Sequence, residues 1–265
     1  MARRTAILNN KGGVGKTAVG MRLAEALARR GRRVLYVEVD AQGNATRRFG
    51  VRWSEGMQGT NEAVKADKVG IVRQSIHPIA WQVDYAERIK LVPAWLELDD
   101  RIPEAGIPGS HLRLVKGLQG ADDDFDETIL DCPPSLSHLT QLALAASHQA
   151  IAVTEAEQDS IRGVRRALEF IAQKSYSLHN EDLTTVGVIM TRMDATRSVD
   201  RSQLASAREI FGDLMWDPVI PRVNVYKELD TNGQPITMGT GEKAGVARAS
   251  FELLADTFEK RSLTV

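Results

Sequence analysis

A short segment near the start of the chain contains residues that could bind a phosphate group. It runs from Asn10 to Thr17 with the sequence NKGGVGKT, and so combines glycines, lysines and a hydroxyl residue. Glycines let successive backbone N–H groups turn toward anionic oxygens, while an ammonium group and a hydroxyl hold the terminal phosphates and Mg²⁺. We therefore predict a site for a nucleoside triphosphate and its magnesium ion.

The chemistry of the side chains assigns individual roles within this loop. Lys16 is predicted to bridge the β- and γ-phosphates, and the Thr17 hydroxyl is predicted to bind Mg²⁺. The general pattern G-x-x-x-x-G-K-[ST] has glycine where this chain has Asn10, so the loop is a variant, and Lys11 adds a second cation. The predicted nucleotide-binding residues of this segment are Lys11, Gly12, Gly13, Val14, Gly15, Lys16, Thr17 and Ala18.

Strand and helix patterns alternate along the chain on either side of the loop. Short β-branched runs alternate with longer segments of 3.6-residue periodicity, which is typical of a parallel sheet covered by helices. The predicted strands are residues 5–8, 33–39, 89–92, 128–130, 150–153, 185–190 and 218–220. The pattern predicts a single-domain α/β fold whose mostly parallel, twisted sheet has helices on both faces. The glycine-rich loop between its first strand and first helix is what identifies this as the fold of a P-loop NTPase.

The remaining segments complete this prediction. A first helix is predicted over residues 17–30, directly after the loop, and a last helix over residues 247–260. Residues 50–81 are poorly patterned and are assigned only to helices and turns. Residues 103–109 contain two prolines and two glycines, which predicts a loop and not a domain linker. We expect residues 1–265 to form one nucleotide-binding domain.

Composition excludes several classes of protein. With 34 Lys and Arg against 35 Asp and Glu, the net charge of −1 argues against a constitutively basic nucleic-acid coat protein, but it permits a local basic patch. The single cysteine, Cys132, excludes an internal disulfide framework and a metal site built from several cysteines of one chain. No apolar run approaches the roughly 18–20 residues that cross a bilayer. We expect a soluble, cytoplasmic protein.

The loop resembles the motif of one family of nucleotide-binding proteins. Residues 11–17, KGGVGKT, are similar to the deviant Walker A motif of the ParA/MinD group of P-loop ATPases. In that family the additional lysine, here Lys11, reaches across a dimer that sandwiches two nucleotides. The resemblance implies ATP and Mg²⁺ as cofactors, catalytic roles for Lys11 and Lys16, and an ATP-dependent homodimer.

Two acidic segments extend the resemblance. Residues 39–44, VDAQGN, resemble the first switch of ParA proteins, which usually reads D-P-Q-G-N, with Ala41 in place of the proline. This implies that Asp40 orients or deprotonates the attacking water, because that role needs a carboxylate near the γ-phosphate. Residues 125–135, FDETILDCPPS, resemble the Walker B and second-switch segment. There Asp131 would contribute its carboxylate to the Mg²⁺ shell through water.

Three later segments, TRMD, IPR and GQPI, match the T-x-x-D, I-P-R and G-x-P-I motifs of ParA proteins. By family analogy the stretches around Thr191 and Pro221 form the wall of the adenine site. The similarity extends over residues 5–260 and is weakest over residues 50–89. It therefore covers nearly the whole chain.

Other branches of the family fit the sequence less well than partition ATPases. Iron–sulfur relatives need paired cysteines, and Cys132 is the only cysteine. MinD-type proteins bind membranes through a basic C-terminal helix, which the mixed charges of residues 247–265 do not resemble. The resemblance thus implies an ATPase for plasmid or chromosome partition, which segregates DNA with a centromere-binding ParB-type partner and has no membrane partner.

Partition ATPases bind DNA nonspecifically as ATP-bound dimers, which requires clustered cations. The predicted DNA contacts are Arg222, in the I-P-R motif, and Arg197 and Lys227. Further candidates are Arg162, Arg165, Arg166, Arg192 and Arg201. No helix-turn-helix extension precedes the loop, so operator recognition is not expected, whereas association of the ATP-bound form with the nucleoid is.

Three other functions remain open on the sequence alone. The first is a MinD-like ATPase that positions proteins or binds membranes, and the second is a P-loop biosynthetic enzyme such as a dethiobiotin-synthetase relative. The third is a nonenzymatic nucleotide-binding module, if Ala41 disables hydrolysis. The sequence does not specify the cargo, the identity of the partner protein or filament formation.

Overall fold

A computed structural model describes residues 1–262 and has a seven-stranded sheet at its centre. The strands are β1 (Arg3–Leu8), β2 (Val34–Glu38), β3 (His77–Pro78), β4 (Ile89–Val92), β5 (Glu127–Asp131), β6 (Gln149–Glu155) and β7 (Thr184–Thr191). Their order is β3-β4-β2-β5-β1-β6-β7, with β3 antiparallel to β4 and the other neighbours parallel. The predicted α/β fold with a mostly parallel sheet is therefore confirmed.

Helices cover both faces of this sheet. They are α1 (Lys16–Arg29), α2 (Asn44–Arg48), α3 (Thr60–Ala66), α4 (Arg113–Leu118), α5 (His138–Ala145), α6 (Gln158–Lys174), α7 (Ser198–Phe211), α8 (Val225–Thr231) and α9 (Gly241–Arg261). Alternate strand residues supply the two cores. Ile129 of β5 packs in the cluster that contains residues of α1 and α9, and Leu130 packs in the cluster that contains residues of α3, α4 and α5. Burial on both faces explains why the strand sequences are nearly uniformly apolar.

The position of β1 determines where a ligand can bind. β1 lies inside the sheet between β5, the central strand, and β6, and its carboxyl end leads through the glycine-rich loop into α1. In open α/β sheets, ligands bind beyond the carboxyl ends of the strands, where the order of connections reverses. The loop and the strand ends around it are therefore the natural binding site.

Three details differ from the sequence-based predictions. The strand predicted at residues 218–220 is wrong, because Pro218 and Pro221 have no N–H to donate to a ladder, and only isolated bridges form in this region. β3 was not predicted, because a strand of two residues is too short to show an alternating pattern of apolar and polar residues. The loop predicted at residues 103–109 is wrong in its first part, since 3₁₀ turns at Leu96–Gly106 include Pro103.

The C-terminal region contains the predicted last helix, which is docked on the core of the protein. α9 begins at Gly241, earlier than predicted, and buries Phe251, Leu254 and Phe258. Residues 263–265, the end of the segment whose mixed charges were noted above, lie outside the described residues. Within residues 1–262, every helix is too short or too polar to span a membrane.

Candidate functional site

The loop after β1 has the conformation of an anion-binding turn. Gly13 and Gly15 have φ values of 81° and 87°, in the left-handed region that a side chain would strain. Gly15 is the N-cap of α1, so the unpaired N–H groups of the first helical turn lie beside the loop. The Thr191 hydroxyl at the end of β7 donates a hydrogen bond of 2.8 Å to the Val14 carbonyl. This bond fixes the loop against the sheet.

A cleft of about 750 Å³ opens over the loop. Its lining includes most of the predicted nucleotide-binding residues, namely Gly12, Gly13, Gly15, Lys16, Thr17 and Ala18, together with the predicted catalytic residue Asp40. Two other predicted nucleotide-binding residues, Val14 and Pro221, do not line the cleft. Val14 is a buried residue of the loop, and Pro221 lies in sequence between the lining residues Ile220 and Arg222. The structure thus brings together, around one cavity, the loop near the start of the chain and the distant I-P-R motif.

Lys16 is the cation of the loop that faces this cleft. Its side chain is buried, and Nζ donates to the Lys11 carbonyl at 3.4 Å. Burial lowers the pKa of Lys16, while the carboxylates of Asp131 and Asp40 oppose that effect. The ammonium group is therefore held between the loop and two acids, where a phosphate can bind it.

Asp131 ends β5 below the loop and is fully buried. Neither of its carboxylate oxygens has a hydrogen-bond partner of good geometry within residues 1–262. Burial raises the pKa of Asp131 to about 6, although the nearby Thr17 hydroxyl and Lys16 ammonium act to lower it. A buried carboxylate without a hydrogen-bond partner is unfavourable, and a metal ion would stabilise it in addition to the nearby Lys16 ammonium.

These features fit a magnesium ion carried by a nucleotide. No group of three His, Cys, Asp or Glu side chains within residues 1–262 could hold a metal by itself. Mg²⁺ typically uses one or two protein ligands and takes the rest from phosphates and water. Thr17 and Asp131 would hold it, and the bound ion would neutralise charge on the β- and γ-phosphates.

Asp40 follows β2 and lines the same cleft. The Gln42 N–H donates to Oδ1 of Asp40 at 3.0 Å, which orients the carboxylate. Burial raises the pKa of Asp40, and the Gln42 N–H and the Lys16 ammonium partly offset the rise. A carboxylate with a raised pKa beside a phosphate site is suited to orient a water molecule and accept its proton.

Glu38 positions this first switch and was missed by sequence reasoning. It is fully buried at the end of β2, and its carboxylate accepts hydrogen bonds from Ala45 N at 2.7 Å and Thr46 N at 3.0 Å. Burial raises the pKa of Glu38 to about 8, against the effect of these bonds. An acid inside the apolar strand VLYVE was the signal that could have identified it. These hydrogen bonds join the end of β2 to the first turn of α2. The turn between them, which contains Asp40, is therefore held at both ends.

A buried ionic network supports the α8 wall of the cleft and was also missed. Arg22 of α1 pairs with Glu25 at 3.1 Å and with Asp230 of α8 at 2.6 Å. Glu25 accepts hydrogen bonds from Ile236 N at 2.9 Å and Thr237 N at 3.2 Å. The G-Q-P-I motif is therefore held directly to the helix that follows the phosphate loop.

Lys11 does not line the cleft of its own chain. Its Nζ lies 2.6 Å from Oε2 of Glu157, the N-cap residue of α6, and both side chains are partly exposed. The hydrogen bond to Glu157 raises the pKa of Lys11, against a smaller effect of burial. The sequence contained no pattern that predicts this contact.

The predicted DNA-binding residues lie in two places. Arg222 and Lys227 line the 750 Å³ cleft, and Arg222 also donates from Nε to the Arg192 carbonyl at 3.3 Å. Arg197 lies beside a second cleft of about 230 Å³, which Arg222 and Glu157 also line. The candidates on α6 are exposed, and two of them, Arg162 and Arg165, pair with acids of the same helix. Arg222 thus joins the two clefts.

Comparison with known proteins agrees with this geometry. A family model described as an AAA domain matches residues 2–185. The sporulation initiation inhibitor protein Soj of Bacillus subtilis is 31% identical over 242 residues, which cover 90% of this chain and 91% of that protein. The chromosome-partitioning ATPase Soj of Thermus thermophilus is 34% identical over 234 residues, which cover 88% and 87%.

A solved structure is similar over the whole fold. Cobyrinic acid a,c-diamide synthase from Mycobacterium smegmatis, with bound ADP and magnesium, has a TM-score of 0.80 and 28% sequence identity to this chain. The alignment covers 98% of this chain and 95% of that one.

Proposed function

This chain belongs to the ParA/Soj family of AAA-domain P-loop ATPases, and we propose that within this family it acts as a DNA-segregation ATPase. It binds ATP and Mg²⁺ and hydrolyses ATP. In the proposed cycle, two copies of the chain meet face to face over two ATP molecules and bind DNA without sequence specificity. Hydrolysis then separates the copies and releases the DNA.

One structural observation supports the proposed dimer. The loop contains two lysines, and Lys16 lines the cleft of its own chain whereas Lys11 does not. A second copy, facing the first, brings another triphosphate within reach of the Lys11 ammonium. Charge neutralisation supplied from a second subunit is a strong contribution to phosphoryl transfer. Lys11 is therefore proposed to act on the nucleotide of the partner.

The cations at the cleft support the coupling to DNA. Arg222 and Lys227 line the nucleotide cleft, so a nucleotide bound there would affect the positions of their side chains. In the dimer these residues, with Arg197, are proposed to form a surface that contacts DNA phosphates and associates the ATP-bound protein with the nucleoid. A ParB-type centromere-binding protein is proposed to stimulate hydrolysis.

The Lys11→Ala variant tests the dimer. It is expected to retain nucleotide binding, because Lys16 and the loop backbone remain, and to lose ATP-dependent dimerisation together with about 10²–10³-fold of turnover. Sedimentation velocity with Mg²⁺ and AMP-PNP measures the dimer, and a fluorescent ATP analogue measures binding. Lys65→Ala, which removes an exposed lysine of α3, is the matched control. A full nucleotide-dependent dimer of Lys11→Ala would remove the proposed role.

The Arg222→Glu variant tests the DNA surface. At nucleotide concentrations that saturate both proteins, DNA affinity is expected to fall about tenfold, and the salt dependence is expected to weaken by about one unit of slope. Filter binding at several salt concentrations measures both quantities. Lys65→Glu makes the same change in net charge on α3 and should leave DNA binding within about twofold. Equal DNA affinity of Arg222→Glu and wild type would eliminate this contact.

A second candidate is an ATP-dependent biosynthetic enzyme. The likeness to the M. smegmatis diamide synthase, at 28% identity over nearly the whole chain, is the observation that favours it. In that case phosphate release would require a small carboxylic acid substrate and would not respond to DNA. A MinD-like ATPase is distinguished by co-sedimentation, since it would follow liposomes and not plasmid DNA when ATP is added.

A further inference from the structure

The turn that carries Asp40 has an alanine at a position where proline is favoured. The Gly43 N–H donates to the Asp40 carbonyl at 3.2 Å, which closes a four-residue turn with Ala41 in second place. Proline is favoured in that place because its ring fixes φ, whereas alanine leaves φ free. The backbone of this turn is thus less restricted than proline would make it, and contacts from other segments decide how rigid it is.

Two tryptophans from outside the first switch pack against this turn. A Cβ at Gly43 would lie 2.9 Å from Cε3 of Trp95, so the Trp95 indole lies directly on the turn. Trp95 stacks on Trp53, with ring centroids 6.1 Å apart and ring planes 9° from parallel. Trp53 lies against Gly59, the N-cap residue of α3, where an added Cβ would be 3.1 Å from its ring. The two stacked indoles therefore connect the turn to the start of α3.

Arg47 joins the turn to the Trp95 indole. Its guanidinium donates to the Gln42 carbonyl at 2.7 Å and to Oδ1 of Asn44 at 2.8 Å, and so links the turn to the first residue of α2. Its Cζ lies 5.9 Å from the centroid of Trp95, which is the distance of a cation–π contact. The Gln42 N–H in turn orients the Asp40 carboxylate. A continuous series of contacts thus leads from Trp95 through Arg47 to Asp40.

We propose that Trp95 is a positioning residue for ATP hydrolysis, which holds Arg47 and the turn so that the Asp40 carboxylate stays at the phosphate site. It supplies from outside the rigidity that a proline at position 41 would supply through the backbone. Trp95 does not line the cleft, so it acts on the reaction only through the turn. The inference rests on the assignment of Asp40 to the attacking water.

Trp95→Ala tests the effect on the reaction. The variant loses one cation–π contact and one aromatic stack, so kcat is expected to fall about three- to tenfold. The phosphate loop and Lys16 are unchanged, so KM for ATP should stay within about twofold of wild type. Steady-state phosphate release at several ATP concentrations, without DNA, measures both. Wild-type kcat in Trp95→Ala would overturn the proposal.

Two further variants separate the contact with Arg47 from a general loss of apolar surface. Trp95→Phe keeps an aromatic face for the guanidinium and should retain kcat within about twofold of wild type. Leu96→Ala is the matched control, because Leu96 is the next residue and is 58% exposed. It should leave kcat unchanged. A loss in Leu96→Ala equal to that in Trp95→Ala would contradict the assignment to the indole.

Ala41→Pro distinguishes positioning from a loss of folding. Among the described residues, 1–262, the Ala41 N–H donates no hydrogen bond, so proline can replace alanine without breaking one. In the Trp95→Ala background, Ala41→Pro is expected to restore kcat to within about twofold of wild type. In the wild-type background it should change kcat by less than about twofold, because Trp95 already holds the turn. An equal effect in both backgrounds would show that positions 41 and 95 act independently, and would overturn the proposal.

Hydrogen exchange examines the turn in the nucleotide-free protein. Peptides that cover residues 39–47 are expected to exchange several-fold faster in Trp95→Ala than in wild type, because the Gly43 N–H is released more often from the turn. The same peptides in Leu96→Ala should exchange as they do in wild type. Unchanged exchange in Trp95→Ala would overturn the proposal whatever the turnover.

Failure of this inference and failure of the proposed function give different results. None of these measurements uses DNA or a partner protein, so an ATPase that does not segregate DNA would still show every expected effect. If Asp40→Ala hydrolyses ATP as wild type does while Trp95→Ala does not, the effect of Trp95 does not pass through Asp40. That result would overturn the positioning role.

Discussion

The Asp40→Ala variant is expected to bind ATP nearly as well as wild type and to lose about 10²–10⁴-fold of its turnover, the usual contribution of a positioned acid or base. The carboxylate lines the cleft and is oriented by the Gln42 N–H, yet the phosphate loop and Lys16 do not depend on it for their backbone conformation. Because nucleotide binding is retained, the variant should accumulate as an ATP-bound dimer that holds DNA.

Single-turnover phosphate release, followed with and without DNA, measures the chemical step, and sedimentation shows whether the dimer persists. Asp99→Asn is the matched control. Asp99 is exposed, and its charge raises the pKa of Asp40. Asp99→Asn therefore removes one negative charge near Asp40, as Asp40→Ala does, but leaves the residues that line the cleft unchanged. Asp99→Asn should keep turnover within about twofold. Wild-type turnover in Asp40→Ala would contradict the assignment.

The Asp131→Asn variant is expected to show opposite effects on activity and stability. Turnover with Mg²⁺ should fall by at least about 10²-fold, because the carboxylate proposed to hold the ion is gone. The nucleotide-free protein should nevertheless become more stable near neutral pH, since a fully buried carboxylate without a hydrogen bond of good geometry is replaced by a neutral amide.

The pH dependence follows from the direction of the pKa shift. The ordinary pKa of the carboxyl is 3.8, and burial raises it to about 6 in the folded protein, so the ionised form is disfavoured by folding. Wild type therefore carries no penalty below about pH 4, loses stability as the pH rises from 4 to 6, and carries a constant penalty of about 3 kcal/mol above that. Asp131→Asn removes the penalty.

Urea unfolding at pH 4 and pH 7.5 without nucleotide measures this difference. The two proteins should have similar free energies of unfolding at pH 4, and the variant should be more stable at pH 7.5. Asp122→Asn is the control, because Asp122 is equally buried but pairs with Arg4 at 2.7 Å. That variant should lose about 3–5 kcal/mol and keep its turnover per folded molecule. A less stable Asp131→Asn with normal turnover would refute the metal assignment.

Much of the fold and the centre of the site could be predicted because their determinants are local. The strand before the loop, the glycines at positions 13 and 15 and the helix after them follow from the conformations that these residues permit. The acids at positions 40 and 131 were identified because the segments around them resemble the first switch and the Walker B segment of ParA proteins, and the structure places them just after β2 and at the end of β5. Errors occurred where local signals were weak, as at residues 218–220, where the apolar Val219 and Ile220 concealed the effect of Pro218 and Pro221.

The sequence by itself thus determined the class of fold, the phosphate loop and the chemistry of the residues in it. Only the tertiary structure paired Lys11 with Glu157, which is 146 residues away, and tied Arg22 of α1 to Asp230 of α8. It also decided that Asp131 is buried without hydrogen-bond partners and that Arg222 borders the nucleotide cleft. The reason is physical: backbone preferences act between neighbours in the chain, whereas burial and ion pairing depend on which distant segments pack together.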